Sequence, residues 1–188
     1  MSEAVSVMKG AAFSGAVRVA DAGLRGMITL RGDLGNENLA AAVKSAVGLA
    51  VPKARGIKEG KKGAVAWMSP DELLLICDYA RAEETVAGLE TALSGGHFLA
   101  VNVSDARAIF TLTGAGVRDV IAKGAPADLS PKALPVGEIR RTRIGQLAAA
   151  FWLSDAETLH VVCFRSVGAH LFKWLCNAAE SGSLPEFL

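Results

Sequence analysis

The chain is poor in the residues that usually announce chemistry. Its three cysteines, Cys77, Cys163 and Cys176, are odd in number, far apart and each set in an apolar context. That excludes a disulfide framework and a Cys-x-x-Cys clip, and it reads as reduced core thiols of a cytoplasmic protein. Its three histidines, His97, His160 and His170, share no ligand spacing with one another or with the cysteines, and no His-Glu-x-x-His occurs, so no metal site is nominated. There is no Gly-x-Ser-x-Gly elbow. Charge of one sign is also missing: the formal net charge of +1 sets up no global field toward nucleic acid or a membrane surface. No apolar run approaches the ~18 residues of a membrane helix. The opening MSEAVSVMKGAAF carries Glu3 before its apolar residues and Lys9 inside them, which makes a poor signal peptide.

What is present is apolar bulk. Hydrophobic residues make up 51% of 188, with a mean hydropathy of +0.33. A chain of this length builds one domain or two small ones with a real core. The apolar excess must enter that core, a subunit interface, or both.

Periodicity gives the organisation. Residues 1–23 show no firm period and read as a loose lead-in. MITLRG (27–32) is a strand. Asn36 then stands where it can cap a helix whose Leu39, Val43, Ala46 and Val47 fall at helical spacing. VPKARGIKEGKKG (51–63) reads as a basic loop, and AVAWM, SPDE and LLLIC (64–77) as a hairpin. Val86, Leu89 and Leu93 mark a helix over about 81–94, stopped by Gly95 and Gly96, and FLAVNV (98–103) is a strand. The order β-α-β-β-α-β is a split βαβ arrangement.

A second unit follows. In RAIFTLT the apolar Ala108, Phe110 and Leu112 alternate with polar residues, whereas FLAVNV has its apolar set at the odd positions 99, 101 and 103. That change of parity implies a bulge or bend at Ser104–Asp105. A helix over 115–123, a connection with Pro126, Pro131 and Pro135, and strands near 139–145, 147–153 and 157–164 come next. Ser166 is placed to cap a last helix in which Val167, Leu171, Trp174, Leu175 and Ala178 share a face. The expected fold class is α+β: duplicated split βαβ units with antiparallel or mixed sheets, covering 24–103 and 104–188 of one compact domain.

Candidate sites are few. Gly114-Ala-Gly116 sits between a strand and a helix, but it holds two glycines of the dinucleotide fingerprint, and Asp119 stands where the third belongs. A carboxylate in that first turn repels a pyrophosphate, so the turn reads as structural. Arg31-Gly32-Asp33 spells an adhesion tripeptide by chance in a chain with no export signal. Lys53, Arg55, Lys58, Lys61 and Lys62 stand against Glu59 alone, a run that either docks an acidic partner or polyanionic cofactor tail or is simply solvated. Alternation puts Arg141 and Arg143 on one strand face. An arginine pair there can grip a carboxylate, and charge on a strand can equally protect a sheet edge. No catalytic residue emerges.

Three longer stretches carry a resemblance. ITLRGDLGNENLAAAVKSAVGLAVP (28–52), VAWMSPDELLLICD (65–78) and the segment from Val101 to Trp152 hold, in order, a Leu-Arg-Gly-Asp strand end, a Trp-x-x-Pro-Asp-Glu hairpin, and Val-Ser-Asp-Ala-Arg leading into the Gly-x-Gly helix. With SVGAHLFKWL near the end, this pattern resembles the gamma subunit of heterotetrameric sarcosine oxidase over roughly residues 24–180. The resemblance implies a fold similar to the folate-binding domain of the glycine-cleavage T-protein, an aminomethyltransferase. It implies a non-catalytic subunit of a flavoenzyme that converts sarcosine to glycine, formaldehyde and hydrogen peroxide, or to methylene-tetrahydrofolate when folate is present. FAD, FMN, NAD, tetrahydrofolate and zinc are then expected on partner subunits, and none on this chain. Asn102, where an acidic residue is often expected, and Leu73, where an aromatic is common, depart from the family pattern. Two other readings stay open: a free-standing folate-dependent aminomethyltransferase-like protein, with Arg141 and Arg143 as its anion-gripping candidates, and a small-anion binding module. For the subunit reading, the partner surface expected is Phe172 and Cys176, on the flank of the last helix, with Leu184, Phe187 and Leu188 of the tail. The opposing expectation is that the tail covers its own domain.

Overall fold

The computed structural model describes residues 3–185. The chain divides into two units, Arg25–Asp105 and the combination of Met1–Leu24 with Ala106–Leu188. No helix among the described residues is long and apolar enough to cross a membrane.

The central unit contains β3 (Gly26–Gly32), α1 (Glu37–Val47), β4 (Ile57–Gly60), β5 (Gly63–Ser69), β6 (Glu72–Cys77), α2 (Ala82–Ala92) and β7 (Phe98–Asn102). Its sheet runs β4-β5-β6-β3-β7 with every neighbour antiparallel. Asn36 caps α1 as expected, its side chain accepting from the backbone N–H groups of Asn38 and Leu39 at 2.8 and 3.2 Å. Gly48 closes the helix at φ 74°, a conformation glycine adopts without a Cβ penalty. Leu39, Val43 and Val47 with Leu89 and Leu93 cover Ile28, Leu30, Val65, Leu73 and Leu75, so both helices lie on one sheet face. The segment 51–63, expected as a loop, contains β4. Its hairpin with β5 turns at Lys61–Lys62 and re-enters through Gly63 at φ 149°, where a Cβ would lie 2.0 Å from the carbonyl oxygen of Ile76.

The other unit contains β8 (Arg107–Thr113), α3 (Val117–Ala122), β9 (Ile139–Ile144), β10 (Leu147–Leu153), β11 (Thr158–Phe164) and α4 (Arg165–Ala178). The residues expected as a loose lead-in, 1–23, differ from that reading: they supply β1 (Ala12–Ser14) and β2 (Arg18–Asp21) to the antiparallel sheet β1-β2-β8-β11-β10-β9. The pairing β8-β11-β10-β9 repeats β3-β6-β5-β4, and β2 stands beside β8 where β7 stands beside β3. The repeat is thus circularly permuted in this unit, its last strand coming from the front of the chain. A strand read by itself carries no sign of such a distant partner, which is why the segment had no visible period. Asp21 fixes it: one carboxylate oxygen accepts from the Ser6 hydroxyl (2.6 Å) and the N–H groups of Met8 and Gly10 (3.1 Å each), the other from Gly23 N–H (3.1 Å).

The parity change between 103 and 107 is a 3-10 turn, Ser104–Ala106, that carries the chain from one sheet to the other. Ala108, Phe110 and Leu112 face α3 and α4 as their alternation required. On α4 the sequence expectation needs two corrections. Ser166 makes no cap: the helix starts at Arg165, the cap position is Phe164, and no side chain caps it. The buried stripe is Gly168, Leu171, Phe172, Leu175 and Ala178, rotated from the one read by periodicity, so Val167 and Trp174 are only half-buried. Gly168 supplies the reason. A Cβ there would sit 3.1 Å from the Cβ of Ala108, so the helix approaches β8 closely at this residue and has that side turned inward.

Candidate functional site

The Gly-x-Gly turn is occupied by the protein itself. Gly114, at φ 136°, donates its N–H to the Glu157 carbonyl (2.9 Å), and Gly116 caps the six residues of α3. A Cβ on Gly116 would lie 2.3 Å from Cδ1 of Leu184, so the tail packs into the place a phosphate would need. Arg118, just inside the helix, donates to the carbonyls of Leu129 (2.6 Å) and Leu134 (3.0 Å) and pins the proline-rich connection. Burial lowers its pKa from the usual arginine value.

The arginines of β9 lie on the outer strand of their sheet. Arg141 and Arg143 are exposed and share a face, while Arg140 is turned the other way. Arg140 bonds Glu138 at 2.9 Å and donates to the Ala133 carbonyl. The geometry brings Arg141 and Arg143 together on the exposed face of an outer strand.

The expected partner surface separates into parts. Phe172 is buried at 7% exposure with its ring 5.6 Å from that of Phe110, so it packs in the core of its own unit. Cys176 and Leu184 are half-buried and pack against the same core. Up to residue 185 the tail therefore covers its own unit; Phe187 and Leu188 lie outside the described residues.

The thiols are chemically quiet. Burial pushes all three up, Cys163 to about 11, so little thiolate exists near neutral pH. Among the described residues no three His, Cys, Asp or Glu side chains converge on a metal position. His160 stacks on Trp152 with ring centroids 5.1 Å apart, and its two nitrogens lie 3.2 Å from the hydroxyls of Thr111 and Ser154.

Several organising residues had no signal in a single sequence. Arg31 of the adhesion-like tripeptide bonds Asp71 (3.1 Å) and Glu72 (2.9 Å), and so neutralises a Glu72 that is only 3% exposed. Asn102 donates to Glu83 (2.6 Å) while its carbonyl oxygen accepts from the N–H (3.0 Å) and hydroxyl (2.5 Å) of Ser104. The amide at 102 thus holds the turn between the two sheets. A cleft of about 290 Å³ opens between the start of α1 and the end of α2. Of its polar lining, Asn36 caps the helix and Asp33 accepts from Gly35 N–H at 2.9 Å.

A family model described as the sarcosine oxidase, gamma subunit family matches residues 31–181. The sarcosine oxidase subunit gamma of Corynebacterium sp. (strain P-1) is 30% identical over 148 residues, covering 77% of this chain and 72% of that one. The subunit of the same name from Arthrobacter sp is 29% identical over 161 residues, covering 85% and 77%. Among solved structures, a chain of the heterotetrameric sarcosine oxidase from Corynebacterium sp. U-96, in complex with pyrrole 2-carboxylate, superposes with a TM-score of 0.80 at 24% identity, covering 89% of this chain and 87% of that chain. The glycine cleavage system aminomethyltransferase T from Bartonella henselae shares the fold, with a TM-score of 0.61 at 16% identity over 84% of this chain and 45% of that one. The matching family model spans most of the sequence, and the chain belongs to the sarcosine oxidase gamma subunit family.

Proposed function

We propose that this chain is the non-catalytic gamma subunit of a cytoplasmic heterotetrameric sarcosine oxidase. The observation that carries the reading is its likeness, over nearly the whole of both chains, to a chain of such a heterotetramer. In the complex, sarcosine, dioxygen and water yield glycine, formaldehyde and hydrogen peroxide, with methylene-tetrahydrofolate formed in place of formaldehyde when the folate is present. The alpha, beta and delta subunits hold FAD, FMN, NAD, tetrahydrofolate and zinc. This chain supplies a folded surface for assembly. The filled Gly-x-Gly turn supports a scaffold role.

The test is purification through a tag on this chain from cells that express all four subunits. The reading expects co-elution of the other chains, flavin absorbance, and sarcosine-dependent hydrogen peroxide release. Elution of the tagged chain alone, with the other three present in the extract, refutes it. The folate-dependent reading rests on Arg141 and Arg143 sharing an exposed strand face. It takes over if the isolated chain binds tetrahydrofolate and Arg143→Ala abolishes that binding; the scaffold reading expects a flat titration.

A further inference from the structure

Charge is segregated in this nearly neutral molecule. Of its 20 lysines and arginines, Lys44, Lys53, Arg55, Lys58, Lys61 and Lys62 fall between residues 44 and 62, against Glu59 alone among its 19 aspartates and glutamates. That segment carries +5, and the rest of the chain therefore sums to −4. The fold gathers these residues at one end of the central unit. Lys44 lies in the last turn of α1, Lys58 on β4, the outer strand of the sheet, and Lys61 and Lys62 in the turn of the β4–β5 hairpin. The aliphatic stem of Lys62 lies over Gly48 at the end of α1, 3.7 Å from a Cβ built there. All six are exposed.

The cations are presented on an ordered backbone. Pro52 and Ile57 are buried on either side of residues 53–55. Gly56 N–H closes a turn onto the Lys53 carbonyl (2.9 Å), and a Cβ on Gly56 would sit 2.9 Å from that oxygen. Trp67 N–H holds the Gly56 carbonyl at 2.9 Å, and Arg55 is kept at φ 62°, which residues other than glycine rarely adopt. Attraction to the end of the α1 dipole accounts for Lys44 and Lys62. It does not reach Lys58, whose ammonium lies 3.4 Å from the Val51 carbonyl, or Lys61 at the hairpin tip.

We infer that this basic end docks a carboxylate-rich face of another subunit in the complex and steers its assembly, an inference that rests on the subunit reading above. Charge complementarity favours a protein face over other anions. A membrane surface asks for an apolar anchor beside the cations. The large exposed apolar residues, Val5, Leu99, Val101, Val136 and Phe164, all lie outside the segment. Single-stranded nucleic acid asks for aromatic platforms along a basic track, and residues 44–62 contain no aromatic side chain and set Glu59 among the lysines.

The test measures the association rate of the full-length chain with the complex of the remaining subunits, from ~0.05 M to ~0.5 M salt. Lys58→Glu/Lys61→Glu should slow association about tenfold or more at low salt, with the difference closing at high salt. Arg18→Glu/Lys132→Glu, an equal charge change elsewhere, should stay near wild type. An unchanged rate and salt slope for the Lys58/Lys61 variant overturns the inference while leaving the subunit reading intact. Failure of the wild-type chain to associate at any salt overturns the subunit reading itself. Should charge reversal lower the melting temperature, Lys58→Gln/Lys61→Gln replaces it, and a wild-type rate in that variant is equally fatal. Binding of the wild-type chain to phosphatidylserine vesicles or single-stranded DNA at physiological salt, lost in the variant, overturns the choice of a protein face.

Discussion

Replacing Asp21 tests how the front of the chain is attached. Its carboxylate gathers four donors, three of them from residues 6–10, so Asp21→Ala leaves the Met8, Gly10 and Gly23 N–H groups and the Ser6 hydroxyl without their acceptor. A hydrogen bond to a charged acceptor contributes ~1.5–3 kcal/mol in protected surroundings. These are part-buried or exposed, so water replaces part of the loss, and a net cost of ~2–4 kcal/mol is reasonable for the set. At about 2–4 °C per kcal/mol for a chain of this size, the melting temperature should fall by ~4–16 °C. Asp21→Asn should cost less. Its carbonyl oxygen can keep the three bonds on one side, and only Gly23 N–H then meets an NH2 group. Hydrogen exchange at Met8, Gly10 and Gly23 should quicken before that of β8, because β1 and β2 join the sheet only through β8. If Asp21→Ala melts within ~2 °C of wild type and those amides keep their protection, the lead-in is held by something else.

Phe172→Ala should cost ~3–5 kcal/mol in denaturant unfolding, because the ring fills the core against Phe110; a loss below ~1 kcal/mol would place that ring at the surface after all. Gly116→Ala should expel Leu184 from its seat and open residues 180–185 to limited proteolysis, and unchanged cleavage contradicts the packing of the tail there. The Cys163 thiol has a folded pKa of about 11 against an ordinary value of 9.0, so its contribution to stability is full below pH 9.0 and is lost as pH rises through about 11. The stability difference between wild type and Cys163→Ala should therefore move against wild type across that window, and a difference independent of pH rules out the shift.

Local patterns in the sequence were enough for the elements other than β1, β2 and β4. Asn36 as a cap, the alternation of Ala108, Phe110 and Leu112, the parity break before Arg107 and the three strands after the prolines all act within a few residues, and the structure has each of them. The family resemblance was legible for a related reason: its motifs, such as Trp-x-x-Pro-Asp-Glu and Val-Ser-Asp-Ala-Arg, are contiguous. The candidate site was less legible. Alternation placed Arg141 and Arg143 on one face, yet it could not say that β9 is an outer strand.

Only the tertiary structure decided the rest, because each remaining feature joins residues far apart in the chain. Residues 18–21 become a strand through pairing with β8, some ninety positions later, and residues 12–14 pair with them in turn, which no local period records. The inward face of α4 is set by the close approach of Gly168 to Ala108, so periodicity misjudged Phe172 by a fraction of a turn. The seat of Leu184 on Gly116 likewise joins residues almost seventy positions apart. The sequence by itself determined composition, family and the order of the elements other than β1, β2 and β4. Which side chains face inward, and which cations share one surface, were decided by contacts that exist only once the sheets have formed.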